Sequence, residues 1–345
     1  MNKKLNIGIV GAGRIGRVHA ETIAFSIPEA ALAALADVQA EVARAVAQRC
    51  AIPRVADADE ILRDSNIDAV LICSSTDTHA DLVVEAARAG KHIFCEKPLA
   101  LRLDQIDRAL EAVDKAQVKL QVGFNRRFDP NFMRVRRAIA SGEIGTPHLL
   151  HIISRDPGPP PIAYVRTSGG MFLDMTIHDF DMARFLIGDE VTEVYAAAGV
   201  RVDPEIGKAG DVDTAVIVLH FANGVLGTID NCRKAPYGYD QRVEVLGSAG
   251  AITTENLFPN RAIISTAESV RRDLPMNFFM DRYTQSFKNE LQAFVKTVVE
   301  DKPVSVTGMD ARMSVVIALA ARNSYQECRP VRLEEISKRP SPSQR

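Results

Sequence analysis

An apolar run of six residues, Leu5 to Val10, ends in Gly11-Ala12-Gly13-Arg14-Ile15-Gly16, and a helical stretch follows at once. The run reads as a strand buried in a parallel sheet. The first glycine permits a tight turn, the second lets the backbone approach a pyrophosphate, and the third lets helix and strand pack closely. The helix start then offers N–H groups and a positive dipole end to phosphate. A second apolar run, Ala30 to Ala36, ends in Asp37, twenty-one residues after Gly16. An acid at that offset accepts hydrogen bonds from an adenosine ribose and repels a 2′-phosphate. Val38, Gln39 and Ala40 follow without a base, so NAD is expected over NADP. The glycines alone are a weak signal; the whole strand–turn–helix–strand–acid order gives them weight. A solvated loop acid or a helix cap is the alternative for Asp37.

The first 120 residues continue this alternation. Strands are expected at Leu5–Val10, Ala30–Ala36, Ala69–Ser74, His92–Cys95 and Lys119–Gly123, with helices near 14–25, 39–49, 78–89 and 103–117. Asp57–Leu62 reads as a short helix with Asp57 as its cap and Glu60 three residues on. The pattern predicts a doubly wound parallel sheet of the Rossmann type. After Gly123 it changes. A helix reads at Pro130–Ser141 and a strand at His148–Ser154, then longer strands from about residue 192. Thr214–Phe221 and Val225–Cys232 flank a hairpin turn at Ala222-Asn223-Gly224, and Val243–Leu246 and Ala251–Thr254 flank another. Tyr283–Glu300 and Asp310–Glu327 read as amphipathic helices. The fold expected is α/β: an N-terminal NAD-binding domain, 1–122, and a C-terminal α+β substrate-binding and oligomerisation domain, 123–345, with an open, mainly antiparallel sheet.

The chain has 345 residues, 42 basic and 44 acidic, for a net charge of −2. That balance gives no attraction for nucleic acid or a membrane surface. Its longest apolar runs fall short of the roughly 18 residues a spanning helix needs. Met1-Asn2-Lys3-Lys4-Leu5 leads straight into the first strand and lacks the features of a signal peptide. Cys50, Cys73, Cys95, Cys232 and Cys328 form no metal spacing and no even framework, so no metal is expected and a reduced, cytoplasmic setting is. The tail Lys338 to Arg345, with its prolines and serines, is expected to fray.

Several side chains could carry chemistry. Glu96-Lys97-Pro98 ends the fourth strand, at the edge where such sheets bind ligands. A lysine there is partly desolvated and useful as an acid, a base or a polarising group. Glu96 could bond the nicotinamide ribose, and a cis bond before Pro98 would aim the amine inward. Ser74, Ser75, Thr76 and His79, after the third strand, are candidates for ribose or phosphate contacts; capping of the next helix by Thr76 or Thr78 is the alternative. Gly169 to Leu186 reads as one helix, which places Asp174, His178 and Asp181 on one face. A histidine held by a carboxylate in an apolar setting is a positioned base; a satisfied core histidine is the plainer reading. Asp156, before a stiff Pro157-Gly158-Pro159-Pro160-Pro161 loop, could meet a polyol hydroxyl. One arginine of Asn125-Arg126-Arg127-Phe128 could face the cleft. Tyr237 and Tyr239 offer contacts typical of carbohydrate sites.

With these residues in view, the chain resembles the glucose–fructose oxidoreductase/inositol dehydrogenase family over nearly its whole length. The resemblance rests on the glycine turn, Glu96-Lys97-Pro98, Gly123 to Phe128 and the stretch through His178. Ser154-Arg155-Asp156-Pro157 together with Gly170 to Leu186 is most similar to the inositol-oxidising members. It implies NAD-dependent oxidation of the axial hydroxyl of myo-inositol to 2-keto-myo-inositol, in a homotetramer joined through the open sheets. It also implies Lys97, Asp174 and His178 as the catalytic residues, and substrate contacts from Arg127, Asp156, Asp179 and Tyr237. In that scheme His178 takes the hydroxyl proton, Asp174 stabilises the imidazolium, and Lys97 hydrogen-bonds the substrate oxygen. Two alternatives remain at this stage: a dehydrogenase of another cyclitol or aldose, and a dinucleotide-binding sensor without chemistry.

Overall fold

Strand β1 (Leu5–Val10) is the second of five parallel strands in the order β2-β1-β3-β4-β5. The structure, a computed structural model, describes residues 4–337; Met1-Asn2-Lys3 and the tail from Lys338 lie outside the described residues. Helix α1 (Arg14–Ser26) follows the glycine turn, then β2 (Ala30–Ala36), α2 (Ala40–Arg49), α3 (Ala58–Arg63), β3 (Ala69–Ile72), α4 (Thr76–Arg88), β4 (His92–Glu96), α5 (Leu103–Ala116) and β5 (Leu120–Gly123). Every strand of this sheet lies where its apolar run placed it, to within two residues. Asp57 does precede α3, but its side chain makes no cap bond, so the expected capping box is not formed. The core includes Ile7, Ile9, Leu35, Leu71 and Phe94, all without exposed surface. Burying one such side chain stabilises a fold by about 1.5–3 kcal/mol.

After a 3-10 turn, Asn125–Phe128, the second unit begins with α6 (Pro130–Ala140), whose cap, Asp129, accepts from the N–H groups of Asn131 and Phe132. Strand β6 (Pro147–Arg155) is followed by α7 (Ile162–Val165), α8 (Gly170–Asp174) and α9 (Ile177–Ile187), then β7 (Val191–Gly199), α10 (Pro204–Lys208), β8 (Thr214–Phe221), β9 (Leu226–Cys232), β10 (Asp240–Gly247) and β11 (Gly250–Thr253). A separate hairpin pairs β12 (Ile263–Ser265) with β13 (Val270–Arg272), ahead of the short α11 (Phe279–Arg282). The large sheet has seven strands, with β14 (Val331–Arg332) at its edge beside β7. Its pairs are antiparallel except β6 with β9. Leu246, Leu149 and Leu226 are register neighbours across three strands, and all three are exposed.

The chain then comes back. By its contacts, one unit comprises the chain up to Phe128 together with Gln285–Val315; the other takes Asp129–Thr284 and the chain from Val316. Helix α12 (Thr284–Val299) brings Leu291, Phe294 and Val295 into the core of the first unit. Val122 donates from β5 to the carbonyl of Val306, so this returning segment also meets the sheet edge. A single cut at 122/123 therefore misplaces residues 285–315, because their apolar face is buried against a strand 200 residues earlier. Helix α13 (Gly308–Glu327) and α14 (Leu333–Ser337) close the described chain, in which no helix is long and apolar enough to cross a membrane.

Candidate active site

The three glycines of the turn have different neighbours. Gly11 has φ +101°, and a Cβ there would lie 2.5 Å from the Cys73 carbonyl. A Cβ on Gly16 would lie 1.9 Å from the Gly11 carbonyl oxygen. The protein's own packing explains both. A Cβ on Gly13 would meet nothing within 4 Å. Gly13 is the N-cap of α1, with no side-chain cap, and a cleft of about 470 Å³ lined by Ala12, Gly13, Arg14, Arg17 and Val42 opens beside it. Glycine at that point fits a ligand that must touch backbone, and a helix N-terminus fits phosphate. Asp37 is fixed from two sides: Oδ2 accepts from the Ala12 N–H at 2.6 Å and Oδ1 from the Gln39 N–H at 2.8 Å. Each oxygen keeps a further lone pair for a ribose hydroxyl.

Farther along the same sheet, Ser75 is the exposed N-cap of α4, not Thr76 or Thr78, and the Ser74 hydroxyl lies 2.6 Å from that of Thr78. His79 was expected to meet cofactor, but it is wholly buried on the inner side of α4. Its ring nitrogens lie 2.8 Å from the Pro98 carbonyl and 3.1 Å from that of Ser74. It ties two loops together. Glu96 ends β4 with Oε1 2.6 Å from His19 Nε2, so one oxygen is taken by α1. Lys97 follows, half-buried, and its bond to Pro98 is cis. Arg127, expected at the substrate, is buried, and its Nη2 lies 3.0 Å from Asp310 Oδ1. Burial alone would raise the Asp310 carboxyl, but Arg127 and Thr307 bring it below the usual range. The guanidinium is held inside the first unit by this pair.

In the second unit, the helix expected over Gly169 to Leu186 is two helices. The chain breaks at Met175-Thr176, where both Met175 and Thr176 donate to the Met171 carbonyl. Asp174 thus ends α8 and His178 stands in the first turn of α9. Asp174 Oδ1 accepts from the Tyr164 hydroxyl at 2.8 Å, and Oδ2 lies 3.5 Å from Arg233 Nη1. Arg233 went unnoticed in the sequence. It is almost fully buried and reaches Asp211 at 3.8 Å with its other nitrogen. No local pattern marks it: Arg233-Lys234 follow a strand that ends in Asp230-Asn231-Cys232. Asp179, expected to touch substrate, has no exposed surface; Asn231 Nδ2 donates to it at 2.9 Å, and Asn231 in turn accepts from Thr176. It faces inward because it follows His178 on a short helix packed on the sheet. Asp156 remains partly exposed, its backbone bonded to Cys232 and Ala235. The Tyr237 hydroxyl accepts from Arg155 at 3.0 Å and donates to Asp240 at 2.7 Å. Burial, then its bond to Asp240, raises the Tyr237 hydroxyl above the ordinary phenol value. Tyr239 is buried edge-on against Tyr283. Asp156, Asp174 and His178 thus keep partial exposure, while Asp179 and Tyr239 serve the interior.

Comparison with known proteins supplies the wider frame. Residues 5–124 match the model of the oxidoreductase family with an NAD-binding Rossmann fold, and residues 132–253 match the GFO/IDH/MocA C-terminal domain. The chain is 49% identical to a myo-inositol 2-dehydrogenase of Thermotoga maritima, over 96% of this chain and 99% of that one. It is 46% identical to an inositol 2-dehydrogenase of Rhizobium meliloti, over 95% and 98%. A crystal structure of a probable dehydrogenase from Thermotoga maritima superposes with a TM-score of 0.95 at 50% identity, covering 96% of this chain and all of that one. With an NAD-binding sheet and a second domain both matched by their own models, the chain belongs to the GFO/IDH/MocA family of oxidoreductases.

Proposed function

We propose that this protein is an NAD-dependent inositol 2-dehydrogenase, which oxidises the axial C2 hydroxyl of myo-inositol to 2-keto-myo-inositol. The observation that carries the reading is Gly13, the one glycine of the turn that the protein's own packing does not require. Near-full-length similarity to enzymes named for inositol oxidation supports the substrate. When bound, NAD supplies the hydride acceptor. Gly13 and the N-terminus of α1 would hold its pyrophosphate, and Asp37 its adenosine ribose. Ser74, Ser75 and Thr76 stand at the next strand end for further contacts. His178 takes the hydroxyl proton as general base, and Asp174 stabilises the imidazolium that forms. Lys97 hydrogen-bonds the same oxygen and stabilises charge developing on it. Asp156 holds a further hydroxyl of the ring. One hydrogen leaves as a proton to His178 and the other as hydride, so the electrons balance.

We also read the protein as a cytoplasmic homotetramer. The exposed row Leu246–Leu149–Leu226, with Tyr195 and Val216 on neighbouring strands, supports self-association through the seven-stranded sheet. The test of function is NADH absorbance with NAD and a panel of myo-, scyllo- and chiro-inositol, glucose and xylose. Fast reduction with myo-inositol and little with NADP agrees with the reading. Reduction only with another polyol changes the substrate, and silence with NAD still bound favours a sensor.

A further inference from the structure

Two buried ionisable side chains stand with few hydrogen bonds. One is Glu290 of α12, whose carboxyl oxygens have no hydrogen-bond partner among the described residues. Burial pushes that carboxyl well above the usual carboxylate range, so it can stand uncharged. The other is Arg233, directly after β9, and an arginine does not shed its charge on burial. Its Nε and Nη2 likewise have no hydrogen-bond partner among the described residues. Such a charge is costly, and packed apolar side chains of the same volume would often serve the fold better. Two carboxylates balance it. Asp174 Oδ2 lies 3.5 Å from Nη1, and Asp211 Oδ2 lies 3.8 Å from Nη2. They meet opposite ends of α8. Asp211 accepts from the Met171 N–H with both oxygens at 3.0 Å, at the start of that helix. Gly170 leaves room for this approach: a Cβ there would lie 2.7 Å from Asp211 Oδ1, and its φ is +79°. Asp174 ends the helix, just before the break at Met175-Thr176. A helix of five residues is not stable by itself, so the direction of Asp174 is set from outside. Arg233 faces one of its oxygens, and the Tyr164 hydroxyl, from α7, donates to the other at 2.8 Å.

We propose that Arg233 and Tyr164 are positioning residues of the reaction: engaging both oxygens of Asp174 from two separate elements, they fix the plane in which its carboxylate is presented to the general base. Tyr164 is half-exposed and holds the acid from the solvent side. Arg233 holds it from the interior and joins it, through Asp211, to the start of α8. A carboxylate gripped at both oxygens has little freedom to turn, so it need not reorganise as charge develops beside it. The inference rests on Asp174 acting in the reaction proposed above.

The test uses the full-length chain with NAD and the polyol of the panel that the wild type oxidises fastest. The quantity read is the single-turnover rate of NADH formation per NAD-binding site, which a misfolded fraction does not lower. Tyr164→Phe keeps the ring and removes only the hydroxyl, so Tm and the NAD dissociation constant should hold while this rate falls about tenfold. Arg233→Met should lower it about a hundredfold, and Arg233→Lys, which returns the charge, should recover about tenfold of that. An unchanged rate in Tyr164→Phe, or an Arg233→Lys no faster than Arg233→Met, overturns the proposal. If Arg233→Met does not fold, Arg233→Lys should stay within about tenfold of the wild type, and a larger loss overturns the proposal. Thermal unfolding needs no polyol. Arg233→Met leaves two carboxylates without their cation and should lower Tm; adding Asp174→Asn should return part of that loss. Strictly additive losses overturn the pairing. A wild type that oxidises no polyol refutes the inositol reading instead, and the unfolding comparison still decides the pairing.

Discussion

At the glycine turn, Asp37 is held by the N–H groups of Ala12 and Gln39, and the open surface at Gly13 is main chain. In the second unit, Asp174 is held by the side chains of Tyr164 and Arg233, and Asp240 by Arg242, Tyr237 and Asn256. The first arrangement depends on backbone shape, which glycine and a strand end dictate locally. The second depends on pairs of long side chains brought together by the sheet. Backbone sites therefore break through sterics, and side-chain sites through orphaned charge.

The largest effect expected is at His178. Its replacement by Ala should lower kcat about a thousandfold, the share a positioned base supplies, with NAD affinity near normal. Activity that survives would overturn the assignment of the base. Next is a buried acid of the second unit. Asp213 accepts from the N–H groups of Arg201, Val202 and Asp203 and from the Thr214 hydroxyl. Asp213→Ala orphans these donors and should cost about 3 kcal/mol in denaturant unfolding; a loss under half of that would show that water replaces the carboxylate. Gly13→Ala sharpens the comparison directly. The fold has room for the methyl group, so Tm should hold while the NAD dissociation constant rises about a hundredfold, equivalent to about 2.7 kcal/mol. A fall in Tm with NAD binding intact would refute the role given to Gly13. Asp37→Ala should weaken NAD about tenfold and narrow its lead over NADP; an unchanged preference would count against the ribose contact.

The smallest effect is on the acid side. Burial alone would raise the Asp213 carboxyl, but the N–H groups of Asp203, Arg201 and Val202 outweigh it and lower it. Asp240 is likewise lowered, by Arg242, Tyr237 and Asn256 against its burial. A carboxyl whose folded value lies below its unfolded value stabilises the protein above the unfolded value of about 3.9, and that stability is lost as pH falls through the folded one. Tm should therefore drop below about pH 4, and Asp213→Asn should flatten that limb. A limb of unchanged slope would assign it to other carboxyls.

Much of this was legible in the sequence where the cause is local. Four of the five parallel strands end at or beside glycine or acid, β3 being the exception, and apolar runs bounded in that way have little freedom. The hairpins at Asn223-Gly224 and Ser248-Ala249 were equally plain. The joint at Met175-Thr176 was not, because an apolar stretch with helical spacing reads as continuous, and only packing on the sheet shows the break. Arg127 and Asp310 are separated by most of the chain, so their ion pair has no local signature. Arg233 meets Asp174 and Asp211 across shorter gaps, but these too exceed the span of any local pattern. Asp179 differs from its neighbours Asp174 and His178 only in which way the helix turns it. Glu290 looked like one polar residue of an amphipathic helix, and its burial follows from a return of the chain that no short pattern announces.

That return has a consequence for synthesis. Phe94 packs edge-on against Phe294, two hundred residues later. At about 5–20 residues per second, a ribosome needs on the order of ten to forty seconds to supply the second ring after the first. During that time the five strands are present, but the face meant for α12 is open to water and to other nascent chains. The dinucleotide-binding half, first to leave the ribosome, is thus finished late. A gene cut after residue 128 would encode its complete sheet without the helix that covers it.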